Sequence, residues 1–179
     1  MVKRVAFMTL GVLKEEWGHP VVQGFVDRIP SVFAAAEAMP GFIARSVRDM
    51  GDMTQSWGEI ITPKCYGDGI AKRAASTLSL WEDLESVAAY AYHGPHGEAM
   101  KHRADWFVHE GLPEHVAWWT EETESLNWQE AADRMDHLYD HGPTPFAFSM
   151  RKPFDSNGNA YQIDAARVRE MAAKSTDLA

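Results

Sequence analysis

The sequence predicts an α+β protein in which helices cover one face of an antiparallel sheet. Short apolar segments with strand character alternate with segments of helical periodicity. The 179 residues are 45% hydrophobic and 11% aromatic, which suffices for one domain with a full core. The sequence contains neither a G-x-G-x-x-G segment after a strand nor a Walker segment, so a parallel nucleotide-binding sheet is disfavoured.

The sequence of the first part of the chain predicts three strands, with one long helix between the first and the second. From Pro20 the apolar residues recur at helical spacing, and Pro30 should kink this helix because proline has no amide hydrogen. The segment "MPGF" at residues 39–42 ends it. The predicted strands of this part are 4–13, 42–50 and a segment near 56–62.

The second part repeats the alternation. A strand at 74–81 runs into a helix that begins after Glu82 and Asp83, whose charges suit a helix N-terminus. "HGPHG" interrupts this helix, and Gly142 ends a later one. The remaining predicted elements are a helix at 96–107, a strand at 114–122, a helix at 127–142 and a final strand at 146–154. We expect a domain of residues 1–154 and a C-terminal extension, 155–179, that is helical over roughly 160–174.

The charge and the distribution of apolar residues argue against nucleic acid and membranes as partners. A net charge of −9 without a cluster of basic residues argues against nucleic acid. No segment has the length of a membrane span, and the N-terminal segment predicts a strand better than a signal peptide. The single cysteine, Cys65, excludes an internal disulfide and suits the cytoplasm. The free edge and exposed face of such a sheet predict a homodimer.

Several segments resemble an uncharacterised domain-of-unknown-function family (number 3291). These are "MPGF", "LSLWEDLESVAAYAYHGPHGEAMKHRADWF", "HVAWW", "ADRMDHLYDHGPTPFAF" and "RKPF". The resemblance covers roughly residues 4–154 and places the chain in the dimeric α/β-barrel superfamily, with the antibiotic-biosynthesis-type monooxygenases. It implies a ferredoxin-like subunit whose sheet closes a barrel with a partner's sheet. It also implies one small-molecule pocket per subunit, between sheet and helices.

Three histidines lie close together in "AYHGPHGEAMKHRADWF", but their spacing argues against a metal site. Gly94 and Pro95 separate His93 from His96, and His102 lies about 120° around a helix from His96. His96 falls at a helix start, where the dipole disfavours the imidazolium form. A neutral His96 can act as a base, ligate haem iron or simply cap the helix.

The candidate catalytic residues are His96 and Arg103, which share one face of the predicted helix. His96 would act as a base and Arg103 would stabilise an anionic oxygen. The alternation of a strand places Trp118 and Trp119 on opposite faces of the sheet. The candidate substrate-binding residues are Trp81, Tyr92, His93, Trp118, Trp119 and Phe148.

The function expected from these residues and the resemblance is that of a cofactor-independent, monooxygenase-like enzyme with a small-molecule substrate. We expect no metal and no cofactor. One alternative is a haem enzyme with His96 or His93 as the axial ligand. Another, from a different class of protein, is a dimer that binds a ligand without catalysis.

Overall fold

A computed structural model describes residues 2–48, 55–121 and 125–176 of the chain. Its strands form one antiparallel sheet in which β3 pairs with one edge of β1 and with β2. Both β4 and β5 pair with the other edge of β1. The strands are β1 (Lys3–Leu13), β2 (Phe42–Arg45), β3 (Ala74–Trp81), β4 (Phe107–Val108) and β5 (His115–Glu121).

Helices precede and follow these strands, so the predicted α+β class with an antiparallel sheet is confirmed. None of the helices in the described ranges combines the length and the apolarity needed to cross a membrane. The helices are α1 (Gln23–Val26), α2 (Ile29–Glu37), α3 (Leu84–Tyr92), α4 (Gly94–Lys101), α5 (Arg103–Trp106), α6 (Trp128–His141) and α7 (Ala165–Thr176).

Strand β1 lies at the centre of two hydrophobic cores because alternate side chains of a strand point to opposite faces. On one face, Met8 and Leu10 pack with α6. On the other face, Val5 and Phe7 pack with Trp81 and with residues of α2 and α3. The continuous apolar run of β1 is therefore explained by burial on both sides of the sheet.

Helices α2 and α3, which connect strands, lie on one face of the sheet, in line with the predicted arrangement. Helix α6 adds a cover on the opposite face, where Ala131, Met135 and Leu138 are buried against β1 and β5. In the barrel that the resemblance implies, this opposite face would meet the partner's sheet. Here α6 of the same chain already removes that face from water.

The predicted strand near 56–62 is wrong. Gln55 makes a single antiparallel bridge to Arg48, and the chain then turns at Trp57 and Gly58, where φ is 65° and 86°. Two successive residues with positive φ cannot continue a strand. The predicted strand 42–50 is shorter than expected, since β2 ends at Arg45, and its residues 49–50 lie outside the described residues.

Two more predicted elements differ. Instead of a strand at 146–154 there are isolated bridges. Ala147 pairs with Thr144 and Phe154 with Ala160, and only Phe148 joins the sheet, where it and Ala117 exchange backbone hydrogen bonds of 2.8 and 3.0 Å. Pro145 and Pro153 flank that pair and donate no ladder hydrogen bond. The predicted helix 96–107 breaks at His102 (φ −101°, ψ 5°), and Phe107 belongs to β4.

The C-terminal segment is attached to α3 through the buried carboxylate of Glu85, which is 2% exposed. Glu85 accepts hydrogen bonds from the Tyr161 hydroxyl (2.7 Å) and the Asp164 backbone N–H (3.1 Å). Arg167 lies 3.6 Å from the other oxygen of the same carboxylate. Helix α7 begins at Ala165, later than predicted, and its Val168 joins the core on the α3 side of the sheet.

Substitution of Gly41 by alanine is expected to destabilise the protein by about 2–4 kcal/mol. Gly41 has φ of +83°, and an added Cβ would lie 2.1 Å from the Ser86 Oγ. Gly58→Ala is the matched control, because Gly58 has φ of +86° and open space around it, so it should cost only about 1–2 kcal/mol. Urea unfolding measures both changes, and equal losses would contradict the predicted clash.

Candidate functional site

A cavity of about 650 Å³ lies between the sheet and helices α2, α4 and α5, on the same face as α3, and its lining also includes Leu10 and Leu138 of the opposite core. Most of its wall is aromatic or aliphatic. The rings of Phe25 and Phe107 meet edge to face with centroids 4.9 Å apart, and Trp17 lies 5.7 Å from Phe25. A cavity of this size and character suits a flat small molecule.

The cavity exists because small residues occupy one end of the sheet on this face. At the other end Phe7 and Trp81 fill the space against α2 and α3. Towards β4 the paired positions are Thr9 opposite Thr77 and Gly11 opposite Ala75. An added Cβ on Gly11 would lie 2.6 Å from Cε1 of Phe107, so that ring lies directly over the strand.

A polar row crosses the floor of the cavity. The sheet register places Thr9 of β1 opposite Thr77 of β3 on one side and His115 of β5 on the other. The hydroxyls of Thr9 and Thr77 are 2.7 Å apart and hydrogen-bonded. The floor therefore offers polar atoms to a ligand whose flat faces contact apolar walls.

His96 lies on the cavity wall in a defined tautomer. Its Nδ1 is 2.8 Å from the Ala91 carbonyl oxygen, and because a carbonyl only accepts, Nδ1 carries the proton and donates it. Burial lowers the pKa of His96 below 6.5, while the bond to Ala91 opposes this. Nε2 is thus the unprotonated nitrogen at neutral pH, and it has no hydrogen-bond partner among the described residues.

The tight connection from α3 to α4 positions His96 for this bond. Gly94 has φ of 56°, and Pro95 occupies the first turn of α4. An added Cβ on Gly97 would lie 2.7 Å from the Tyr92 carbonyl oxygen, so only glycine permits so close an approach. The imidazole ring then packs 4.7 Å, centroid to centroid, from the ring of Tyr90.

His115 is a second neutral histidine on the cavity wall, which sequence reasoning missed. The Met150 N–H donates to its Nε2 at 3.1 Å, so the proton of the neutral ring is on Nδ1. Burial lowers the pKa of His115, Glu114 opposes this, and Arg151 adds to the lowering. Alternation along "HVAWW" indicated the face of His115, but its position in a polar row depends on the pairing with Thr9.

Arg103 also lines the cavity, although the helix break at His102 separates it from α4. Its guanidinium binds both oxygens of Glu114, at 3.0 and 3.5 Å, and His109 Nδ1 lies 3.1 Å from the same carboxylate. The positive charge of Arg103 therefore already has a partner within the chain. This arrangement leaves Arg103 less suited to stabilising an anionic oxygen than the sequence suggested.

The predicted substrate-binding residues divide into two groups. Trp81 and Tyr92 line the cavity. Trp81 is fully buried, and its Nε1 donates to the Ser79 Oγ at 2.8 Å. His93, also predicted to bind substrate, is exposed at the start of α4 and does not line the cavity. Trp118 and Trp119 point to opposite faces, as predicted, but Trp118 packs in the core beside α6 and Trp119 Nε1 donates to the Phe154 carbonyl. The core also holds Phe148, away from the cavity wall.

Cys65 lies outside this cavity, beside α6. Burial, assisted by Asp136, raises the pKa of its thiol to about 12, so the thiol stays protonated. A protonated thiol is a poor nucleophile, so the structure gives no support to Cys65 as a catalytic residue. In the described part of the chain, no three side chains of His, Cys, Asp or Glu come together as metal ligands.

Comparison with known proteins establishes the family. Residues 4–165 match the family model described as Domain of unknown function (DUF3291). The chain belongs to this family. The DUF3291 match extends past the predicted boundary at residue 154 and includes Tyr161 and Asp164, two of the residues bound to Glu85. No curated protein matches the chain.

Among solved structures, this DUF3291 chain is similar to the crystal structure of NE2512, a protein of unknown function from Nitrosomonas europaea. The sequence identity is 12%, and the TM-score is 0.43. The alignment covers 69% of this chain and 93% of that one. At this level of similarity no argument about function follows.

Proposed function

We propose that this DUF3291 protein is a small-molecule enzyme in whose cavity His96 acts as a general base, and that its reaction is a cofactor-independent oxygenation. The observation that carries the proposal is the state of His96. The Ala91 carbonyl fixes the proton on Nδ1, and burial keeps the ring neutral. An unprotonated Nε2 on the wall of an aromatic cavity is suited to removing a proton from a bound substrate.

The proposed reaction balances without a cofactor. Nε2 takes a proton from a CH₂ group activated by a neighbouring phenol or carbonyl, which leaves a carbanion. The anion gives one electron to O₂, and the resulting radical pair combines to a peroxide. His96 returns its proton to the peroxide. The hydroperoxide then loses water, so that the original CH₂ group becomes a carbonyl. In this scheme the Nδ1–H of His115 hydrogen-bonds to the anionic oxygen of the substrate.

We extend the proposal to kinship with the dimeric α/β barrels and to a cytoplasmic homodimer. The support for kinship is the antiparallel sheet with α2 and α3 on one face. Because α6 covers the opposite face, a dimer would form through another surface, such as the edge of β2 that pairs with no strand of the described residues. Support for the cytoplasm is limited to the single cysteine.

Haem binding is the second candidate, and one observation favours it. A histidine that donates Nδ1–H to a backbone carbonyl has the orientation and basicity typical of a metal ligand. The aromatic and aliphatic residues on the wall would fit an apolar macrocycle, and Nε2 of His96 would bind its iron. Bound haem would supply redox chemistry, and His96 would hold it.

The test is oxygen uptake by the purified protein with anthrone- and quinol-type substrates. His96→Gln should lower turnover by about 10²–10⁴-fold, the usual contribution of a general base. His93→Gln, an exposed histidine three residues away, is the matched control and should turn over normally. Equal activity of the wild type and His96→Gln would refute the proposal. A Soret band that His96→Gln abolishes would establish the haem alternative, and binding without turnover would favour a non-catalytic protein.

A further inference from the structure

The charges around the cavity are opposite in sign to the charge of the whole chain. The chain carries a net charge of −9, whereas the wall of the cavity holds four arginines and two glutamates. Two of its histidines, His96 and His115, have lowered pKa values and contribute no positive charge at neutral pH. The cavity is therefore locally positive in an acidic protein, which favours an anionic ligand.

Two of the four arginines already have carboxylate partners. Arg45 lies 2.8 Å from Glu37, and Arg103 lies 3.0 Å from Glu114. Among the described residues, Arg28 and Arg151 have no carboxylate partner. Arg151 is exposed to solvent, whereas Arg28 is only partly exposed. An ion pair is stronger away from water, so Arg28 is the better anion-binding group.

Contacts with α1 and α5 hold the side chain of Arg28 in place. Its Nη1 donates to the Gly24 carbonyl at 2.6 Å, and its guanidinium carbon lies 4.9 Å from the ring centroid of Trp106. Trp106 is 7% exposed and packs closely on Gly24, where an added Cβ would be 3.0 Å from the indole nitrogen. A guanidinium has five N–H donors, and this arrangement leaves most of them for a ligand.

We propose that the cavity binds an aromatic carboxylic acid, with the carboxylate on Arg28 and the ring against the aromatic wall beside Trp106. The guanidinium fork matches a carboxylate with two parallel hydrogen bonds. A phosphate dianion fits less well, since Arg28 is the one partly buried cation on this wall that lacks a carboxylate partner in the described part of the chain. The inference names the substrate class of the proposed function and rests on its choice of this cavity.

The test compares 2-naphthoate with its neutral analogue 2-naphthalenemethanol, by isothermal titration calorimetry. We expect the wild type to bind the acid at least about tenfold more tightly than the alcohol. Arg28→Gln should abolish that preference, and Arg28→Lys should keep part of it, because lysine retains the charge without the fork. Arg151→Gln, an exposed arginine of the same wall, is the matched control and should keep the preference.

Several outcomes would overturn the inference: equal affinity of the wild type for acid and alcohol, a preference that survives in Arg28→Gln, or its loss in Arg151→Gln. Circular dichroism establishes that each variant is folded, and if Arg28→Gln is not, an undiminished preference in Arg28→Lys contradicts the inference. His96→Gln separates this inference from the proposed function. It should lose turnover and still prefer the acid, whereas an absence of turnover in every protein would refute the catalytic proposal alone.

Discussion

Replacement of Trp81 by alanine is expected to lower the free energy of unfolding by about 3–5 kcal/mol. Trp81 is completely buried where β3 meets α3. Its ring stacks on Tyr90 with centroids 5.3 Å apart and meets Phe42 edge to face at 5.2 Å. The substitution removes these contacts, leaves a void and deprives the Ser79 Oγ of its indole N–H donor.

Trp17→Ala is the matched control for this prediction. Trp17 is 44% exposed, and its Nε1 donates to the Ala74 carbonyl at 3.0 Å, so its loss should cost only about 1–2 kcal/mol. Urea unfolding of both variants at neutral pH gives the two free energies. A similar loss in both would show that burial of Trp81 does not dominate the stability of this core.

Acidification below about pH 6.5 is expected to destabilise the protein before its carboxylates titrate. Burial lowers the pKa values of His96 and His115 below the ordinary 6.5. As the pH falls through 6.5, the unfolded chain binds protons that the folded chain does not, so stability decreases until the folded pKa values are reached. Each histidine adds up to about 1.4 kcal/mol per pH unit to this slope.

The measurement is the free energy of unfolding in urea at several pH values between 7.5 and 5. His96→Gln and His115→Gln should each reduce the dependence on pH, and the double substitution should reduce it most. His93→Gln, at an exposed position off the cavity wall, serves as the control for the substitution itself. The charged neighbours of His115 are Glu114 and Arg151, and these stay intact in every variant. A slope unaffected by both histidine substitutions would contradict the predicted burial.

The sequence correctly predicted those helices and strands whose ends are marked by residues within the element or next to it. The predicted strand 74–81 coincides with β3, and the helix predicted at 127–142 is α6 with its two caps. At its start, the Asn127 side chain accepts from the Glu130 N–H at 2.7 Å, and Gly142 ends it with φ of 72°. Such caps act over three or four residues and can therefore be read in the sequence.

The strands predicted near 56–62 and at 146–154 failed because composition does not specify a pairing partner. Trp57 and Gly58 turn the chain, and Phe148 forms a single bridge to β5 instead of a continuous ladder. The sequence also did not predict that α6 covers the second face of the sheet. Amphipathicity shows that a helix has an apolar side, but it does not show which side of a sheet receives it.

The residues of the candidate site likewise divide into those that the local sequence predicted and those that only tertiary contacts bring to the site. His96 was predicted from its place near a helix start, and the structure places it on the cavity wall. His115, Thr9 and Arg28 were missed, because they lie far from His96 in the chain. Three predicted ligand contacts, Trp118, Trp119 and Phe148, lie away from the cavity wall because side-chain direction follows from sheet pairing.

The sequence by itself determined the α+β class, the family and the helix start that carries His96, since periodicity, caps and motifs act between near neighbours. Tertiary structure alone decided where the cavity lies and what surrounds it. The small residues Thr9, Gly11 and Thr77 leave space only because β1 and β3 pair in one register. Register and helix placement depend on contacts between distant segments, whose energies no short stretch of sequence contains.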